Sequence, residues 1–74
     1  MAPRRDTAAL RRLGTRVRKE RDARGLSQEA LAWEAKIHTN HLSSIERGEA
    51  NPSFLVLLSI SRVLGVKLSE LVGD

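Results

Sequence analysis

The stretch that decides the architecture is Gly25-Leu26-Ser27-Gln28-Glu29-Ala30-Leu31-Ala32-Trp33-Glu34-Ala35, then Lys36-Ile37-His38, then Thr39-Asn40-His41-Leu42-Ser43-Ser44-Ile45-Glu46-Arg47-Gly48. Gly25 suits a left-handed helix end, and Ser27 is an N-cap with acidic Glu29 in the first turn behind it. Leu26 before the cap and Leu31 inside the helix have the spacing of a hydrophobic staple. The spacing predicts a short helix closing near Ala35, a three-residue connection, and a second helix over about Thr39 to Arg47 stopped by Gly48. Ala30 and Ala32 are small enough for two helices to cross closely, and Ile37 fills the corner between them. Leu42 and Ile45 mark the buried face of the second helix, so Thr39, Asn40, Ser43 and Ser44 are expected on the opposite face.

The flanking sequence continues the pattern. Asp6 or Thr7 caps a first helix running to about Arg24, with Leu10, Leu13 and Val17 as its apolar stripe. Arg21 stands in that stripe where an apolar residue is expected. Asn51-Pro52-Ser53 punctuates again, and an apolar helix follows from about Ser53 to Leu64, with Leu57, Ile60, Ser61 and Leu64 toward the core. Gly65-Val66 turns the chain into a last helix over about Leu68 to Val72. No stretch alternates apolar and polar over strand length, so the chain reads as all-α.

Seventy-four residues make one small domain, expected to span 1–74 with residues 1–5 frayed. A 41% apolar content supports a compact core but not a deep catalytic cleft. There are no cysteines, hence no disulfides or thiolate metal sites, which fits a reducing cytoplasm. No apolar run is long enough to span a membrane, and no secretory segment is apparent at the N-terminus. His38 and His41 have no partner at ligand spacing, so no metal and no other cofactor is expected. No Ser–His–Asp arrangement or Gly-rich phosphate loop argues for an enzyme, and no ligand-pocket signature is present.

Charge is asymmetric. Thirteen basic residues oppose nine acidic ones, and residues 1–24 carry nine of the bases and three of the acids. Ten of the thirteen are Arg, whose fork suits phosphate. A single Phe, a single Trp and no Tyr leave little surface for stacking unpaired bases. A polyanion is thus the leading partner class, and small polar side chains on a helix allow it to enter a major groove about 12 Å wide.

Taken together, Gly25 to Ala32, Glu34-Ala35, Ser43, Ile45-Glu46-Arg47-Gly48, Asn51-Pro52-Ser53, Leu64-Gly65-Val66 and Leu68-Ser69-Glu70-Leu71 resemble the phage-repressor/Cro-type helix-turn-helix family. The match covers about Leu13 to Leu71 and looks most like the small controller proteins of restriction–modification systems. Phage Cro-like repressors and the antitoxins of toxin–antitoxin pairs share the signature. The resemblance implies a five-helix, lambda-repressor-like fold with the helix-turn-helix over about 27–47. It also implies a homodimer joined through about 53–72, binding a pseudo-palindromic operator in double-stranded DNA. Thr39, Asn40, Ser43 and Ser44 are then base contacts, and Gln28, Arg47, Asn51 and Arg16 backbone contacts. Gln28 also braces the recognition helix, and Arg21 and Glu46 form a structural ion pair.

Leu55, Leu58, Leu71 and Val72 are expected at the dimer interface. Trp33 projects away from Leu31, either exposed, with a phosphate within its reach, or, as preferred here, a partial lid over apolar surface. The implied mechanism is autoregulatory. One dimer recruits RNA polymerase, with Glu29, Glu34 or Glu49 as acidic contacts among which the sequence does not choose, and a second dimer blocks it. Three departures stand out. Lys36 occupies the turn position usually held by Gly, His38 replaces the usual Ser or Thr cap, and the reading face is expected to lack Arg and Gln. Specificity is therefore expected to lean on DNA shape or on the arginines of the first helix.

Overall fold

Each helix starts where a short polar side chain is able to satisfy an orphan amide, or where the chain does without one. The computed structural model describes residues 6–73, and the expected fraying of 1–5 lies outside them. Five helices follow one another: α1 (Thr7–Ala23), α2 (Gln28–Ala35), α3 (Thr39–Glu46), α4 (Phe54–Leu64) and α5 (Leu68–Val72). The Asp6 carboxylate accepts from the Ala9 amide at 3.0 Å, Ser27 Oγ from Ala30 at 3.0 Å, and Ser53 Oγ from Val56 at 3.2 Å. His38 precedes α3 with extended backbone and makes no such bond, so α3 begins uncapped by a side chain.

The connection between α2 and α3 is a tight left-handed turn. Lys36 takes φ 60° and ψ 43°, and it is the one non-glycine residue with positive φ among those described. Its amide donates to the Trp33 carbonyl at 3.2 Å, and the Ile37 amide reaches back to Ala32 at 3.0 Å. These two bonds close the end of α2, and Ile37 packs against the core. The turn keeps the geometry that Gly would adopt at no steric cost, and the lysine bears a strain of about 1 kcal/mol for it.

Around this corner, α1 packs on α3 and α5, while α2 packs on α3 and α4. Val17, Leu31, Leu42, Ile45, Ile60, Leu64 and Leu71 are the largest fully buried side chains and form one continuous core. Ser61 is buried among them, and its hydroxyl donates to the Leu58 carbonyl at 2.8 Å. Ser59 donates to the carbonyl of Ala35 at 2.8 Å, tying α4 to the last turn of α2.

The closest approach is between backbones. A methyl group at Gly14 would stand 2.4 Å from the carbonyl oxygen of Ile45 and 2.6 Å from that of Glu46. Gly14 thus lets α1 touch the last turn of α3 directly, and nothing in the sequence periodicity singled it out.

Two expectations are corrected here. Leu71 was expected at a dimer interface, but its exposure is 0%: α5 turns it inward to close the core beside α1. Trp33 was expected as a lid, but it is 84% exposed, because it lies on the side of α2 away from Leu31 with no element over it.

Two substitutions test these points by urea midpoint. Gly14→Ala should destabilise by about 2 kcal/mol, because the backbone carbonyls it meets cannot swing away. Helix propensity alone predicts the opposite sign, a gain of about 1 kcal/mol. Lys36→Gly should stabilise by about 0.5 kcal/mol, the relief of left-handed strain less the added freedom of the unfolded chain.

Candidate nucleic-acid interface

With Leu42 and Ile45 wholly buried, the opposite side of α3 is fixed by helical geometry. Asn40, Ser43, Ser44 and Arg47 fall at i, i+3, i+4 and i+7 and form one outward stripe. Asn40 and Arg47 are exposed, and Ser43 and Ser44 are half-buried. Thr39 borders the stripe, half-buried at the start of the helix. All of these side chains carry hydrogen-bonding groups, so the stripe can meet base edges.

What holds this face outward is a buried ionic cluster behind it. Arg21 Nε donates to Glu46 Oε2 at 2.7 Å and Arg21 Nη2 to Glu46 Oε1 at 2.9 Å, a forked pair across α1 and α3. The remaining terminal nitrogen donates to the Leu26 carbonyl at 2.8 Å and lies 3.3 Å from the Asp22 carboxylate. Gln28 completes the cluster, its amide donating to Glu46 Oε1 at 2.9 Å. The Glu46 side chain is only 3% exposed. Burial pushes its carboxyl upward, but the bonds from Arg21 and Gln28 outweigh this and leave its pKa below the ordinary glutamate value. The bond to Glu46 raises the pKa of Arg21 above its ordinary value.

The remaining expected DNA contacts are distributed unevenly. Asn51 is exposed just beyond α3. Gln28 is half-buried at the amino end of α2, with its amide already engaged by Glu46. Arg16, expected on the DNA backbone, is turned toward the end of α5. Its guanidinium donates to the Leu71 carbonyl at 3.3 Å and to the Gly73 carbonyl. The last carbonyls of α5 have no partner within the helix, and a cation is their natural complement.

Arg18 in α1 and Arg24 at its C-cap each pair with an acidic residue four positions away. Arg24 meets Glu20 at 2.7 Å, and Arg18 lies 3.8 Å from Asp22.

Arg47 was expected to hold the DNA backbone, and its guanidinium lies against the serines of the outward stripe. It donates to Ser43 Oγ, to Ser44 Oγ at 3.3 Å and to Glu49 Oε1 at 3.1 Å. The spacing Asn40-Ser43-Ser44-Arg47 is the sequence signal for this placement.

Outside α3, Leu55 is 73% exposed and Phe54 62%, Val72 is also exposed and Leu58 is half-buried. Phe54 was not among the expected interface residues. Among the described residues no group of three or more His, Cys, Asp or Glu is placed to hold a metal ion. None of their helices is long and apolar enough to cross a membrane.

Removing the Glu46 carboxylate should leave a buried guanidinium unpaired, so Glu46→Ala should lose about 3 kcal/mol of folding free energy by urea titration. The lowered pKa of Glu46 also sets a pH dependence. Its contribution is present above the ordinary glutamate range and is lost as pH falls through the folded value. Glu46→Gln should therefore flatten the acid limb of a stability-versus-pH curve. An unchanged acid limb would show that the pair is not coupled to folding.

A family model described as helix-turn-helix matches residues 17–71. Control protein C.MunI from Mycoplasma sp is 41% identical over 64 residues, covering 85% of this chain and 86% of that one. The immunity repressor protein of Bacillus phage phi105 is 36% identical over 62 residues, 84% of this chain. The chain spans less than half of that repressor's length, 43%. The structure of the restriction-modification controller protein C.AhdI from Aeromonas hydrophila is similar with a TM-score of 0.84 at 36% identity, covering 86% of this chain and 97% of that one. A fold of five helices with an α2–turn–α3 corner, and a family match over most of its length, place this chain in the helix-turn-helix family.

Proposed function

We infer that this chain is a DNA-binding transcriptional regulator that reads a pseudo-palindromic operator as a homodimer, and that it controls restriction–modification genes. The observation that carries this reading is the polar stripe on α3, aimed outward by the Arg21–Glu46 pair. The similarity to C.MunI and C.AhdI over most of each chain supports the narrower assignment. In this reading Thr39 and Asn40 meet base edges with Ser43 and Ser44 beside them. Asn40 is suited to an adenine edge, which takes a bidentate amide. Gln28 and Asn51 flank α3 and meet the phosphates on either side of it.

The exposed apolar group Phe54, Leu55 and Val72, with Leu58 at its margin, is the proposed self-association surface. A two-fold dimer through this face presents two copies of α3, and reading successive major-groove turns requires them about 34 Å apart. The exposed carboxylates Glu29 and Glu34 on α2 are the proposed contact for RNA polymerase. Regulation then depends on protein concentration and dimerisation, with no small-molecule ligand.

Selection from a randomised duplex pool at near-physiological salt tests the reading. Specific binding survives salt that strips non-specific phosphate contacts. The expected result is enrichment of one inverted repeat with half-sites about one helical turn apart. An unenriched pool would contradict the assignment and favour a protein partner for the apolar surface.

A further inference from the structure

We propose that Arg47 is a specificity-determining residue that reads a guanine in the major groove, rather than a clamp on the phosphate backbone. This rests on the reading of the chain as a DNA-binding regulator. Arg47 follows the last residue of α3, and position alone suggests a backbone contact. Its backbone nevertheless stays helical, with φ −82° and ψ −4°, so it continues the stripe of Asn40, Ser43 and Ser44. Measured around the helix, that stripe lies opposite Leu42 and Ile45, the buried pair that fixes the orientation of α3.

The side chain then folds back along the helix. Its terminal nitrogens donate to Ser43 Oγ and, at 3.3 Å, to Ser44 Oγ. The charge is therefore carried from the end of α3 toward its middle, over the polar residues that face outward. These bonds and the one to Glu49 use three of the five donors of a guanidinium. One N–H remains on each terminal nitrogen, enough for the two acceptors O6 and N7 of guanine.

Ser43 and Ser44 act in this arrangement as positioning residues. They hold a long, rotamer-rich side chain on the reading face before DNA arrives, which reduces the ordering cost of binding. Glu49 balances the charge while the face is empty. Its contact with Arg47 is half-exposed, 52% and 62% for the two side chains, so it is weak and opens readily.

The test repeats the randomised-duplex selection with Arg47→Ala, Arg47→Lys and the double variant Ser43→Ala/Ser44→Ala. Thermal melts accompany it to show that each variant is folded. The expected result is that wild type enriches a guanine at one position of each half-site. Arg47→Ala should lower discrimination at that position about tenfold while the other positions keep theirs. Arg47→Lys should keep the charge and the salt dependence but lose the same preference, because an ammonium lacks the fork. The serine variant should weaken it at the same position.

A uniform fall in affinity with an unchanged enriched sequence, and a salt slope reduced by about one, would make Arg47 a phosphate clamp and overturn the proposal. Unaltered binding by Arg47→Ala would overturn it as well. A wild-type protein that enriches nothing would remove the regulator reading itself, and this assignment with it.

Discussion

The orientation of α3 depends on one buried ion pair. Arg21 interrupts the apolar stripe of α1, and Glu46 sits at the last position of α3, so the forked bond between them spans 25 residues of sequence. Beside this bond, Gly14 removes the side chain that would keep the two helix backbones apart. A bond and a backbone contact together fix both the distance and the rotation of α3 on α1. That rotation turns Leu42 and Ile45 inward and leaves Asn40, Ser43, Ser44 and Arg47 outside. Gln28 and the Leu26 carbonyl extend the same cluster to the start of α2, so both helices of the corner are referenced to one point on α1.

An apolar pair of similar volume would stabilise a small core at least as well, since buried ions give back much of their attraction as lost hydration. What the pair adds is direction. A forked guanidinium–carboxylate bond is satisfied in few geometries, whereas leucines on helices can slide past one another. For the second helix of a helix-turn-helix corner, orientation matters more than an extra increment of stability. The uncapped start of α3 and the strained Lys36 turn are consistent with this division. The corner tolerates local cost because its geometry is set from the side by Arg21 and Glu46.

Much of this was legible in the sequence, and the exceptions have physical causes. Helix limits fell within a residue of expectation where caps act locally, at Asp6, Ser27 and Ser53. The odd Arg21 in an apolar stripe stood out in the sequence, and the family resemblance implied its partner, Glu46. Leu71 was misplaced because five residues of α5 are too few to show a periodicity, so the inward face of that helix could not be read. Arg16 and Arg47 make contacts that spacing does not reveal, for a shared reason. Long side chains travel several ångströms along a helix, and their partners follow from tertiary packing rather than spacing. Arg16 ends at the carbonyls closing α5, far in sequence, and Arg47 ends on Ser43 and Ser44. Gly14 carried no local signal at all, because its role exists only once α3 lies against it.

The most direct measurement is a double-mutant cycle in urea with Arg21→Met, Glu46→Met and the two combined. If the pair orients α3, each single change strands a buried charge and is costly, while the double variant recovers much of the loss and the two effects are strongly non-additive. Single losses that simply sum in the double variant would show that the two side chains do not act on one another, and that something else sets the recognition helix.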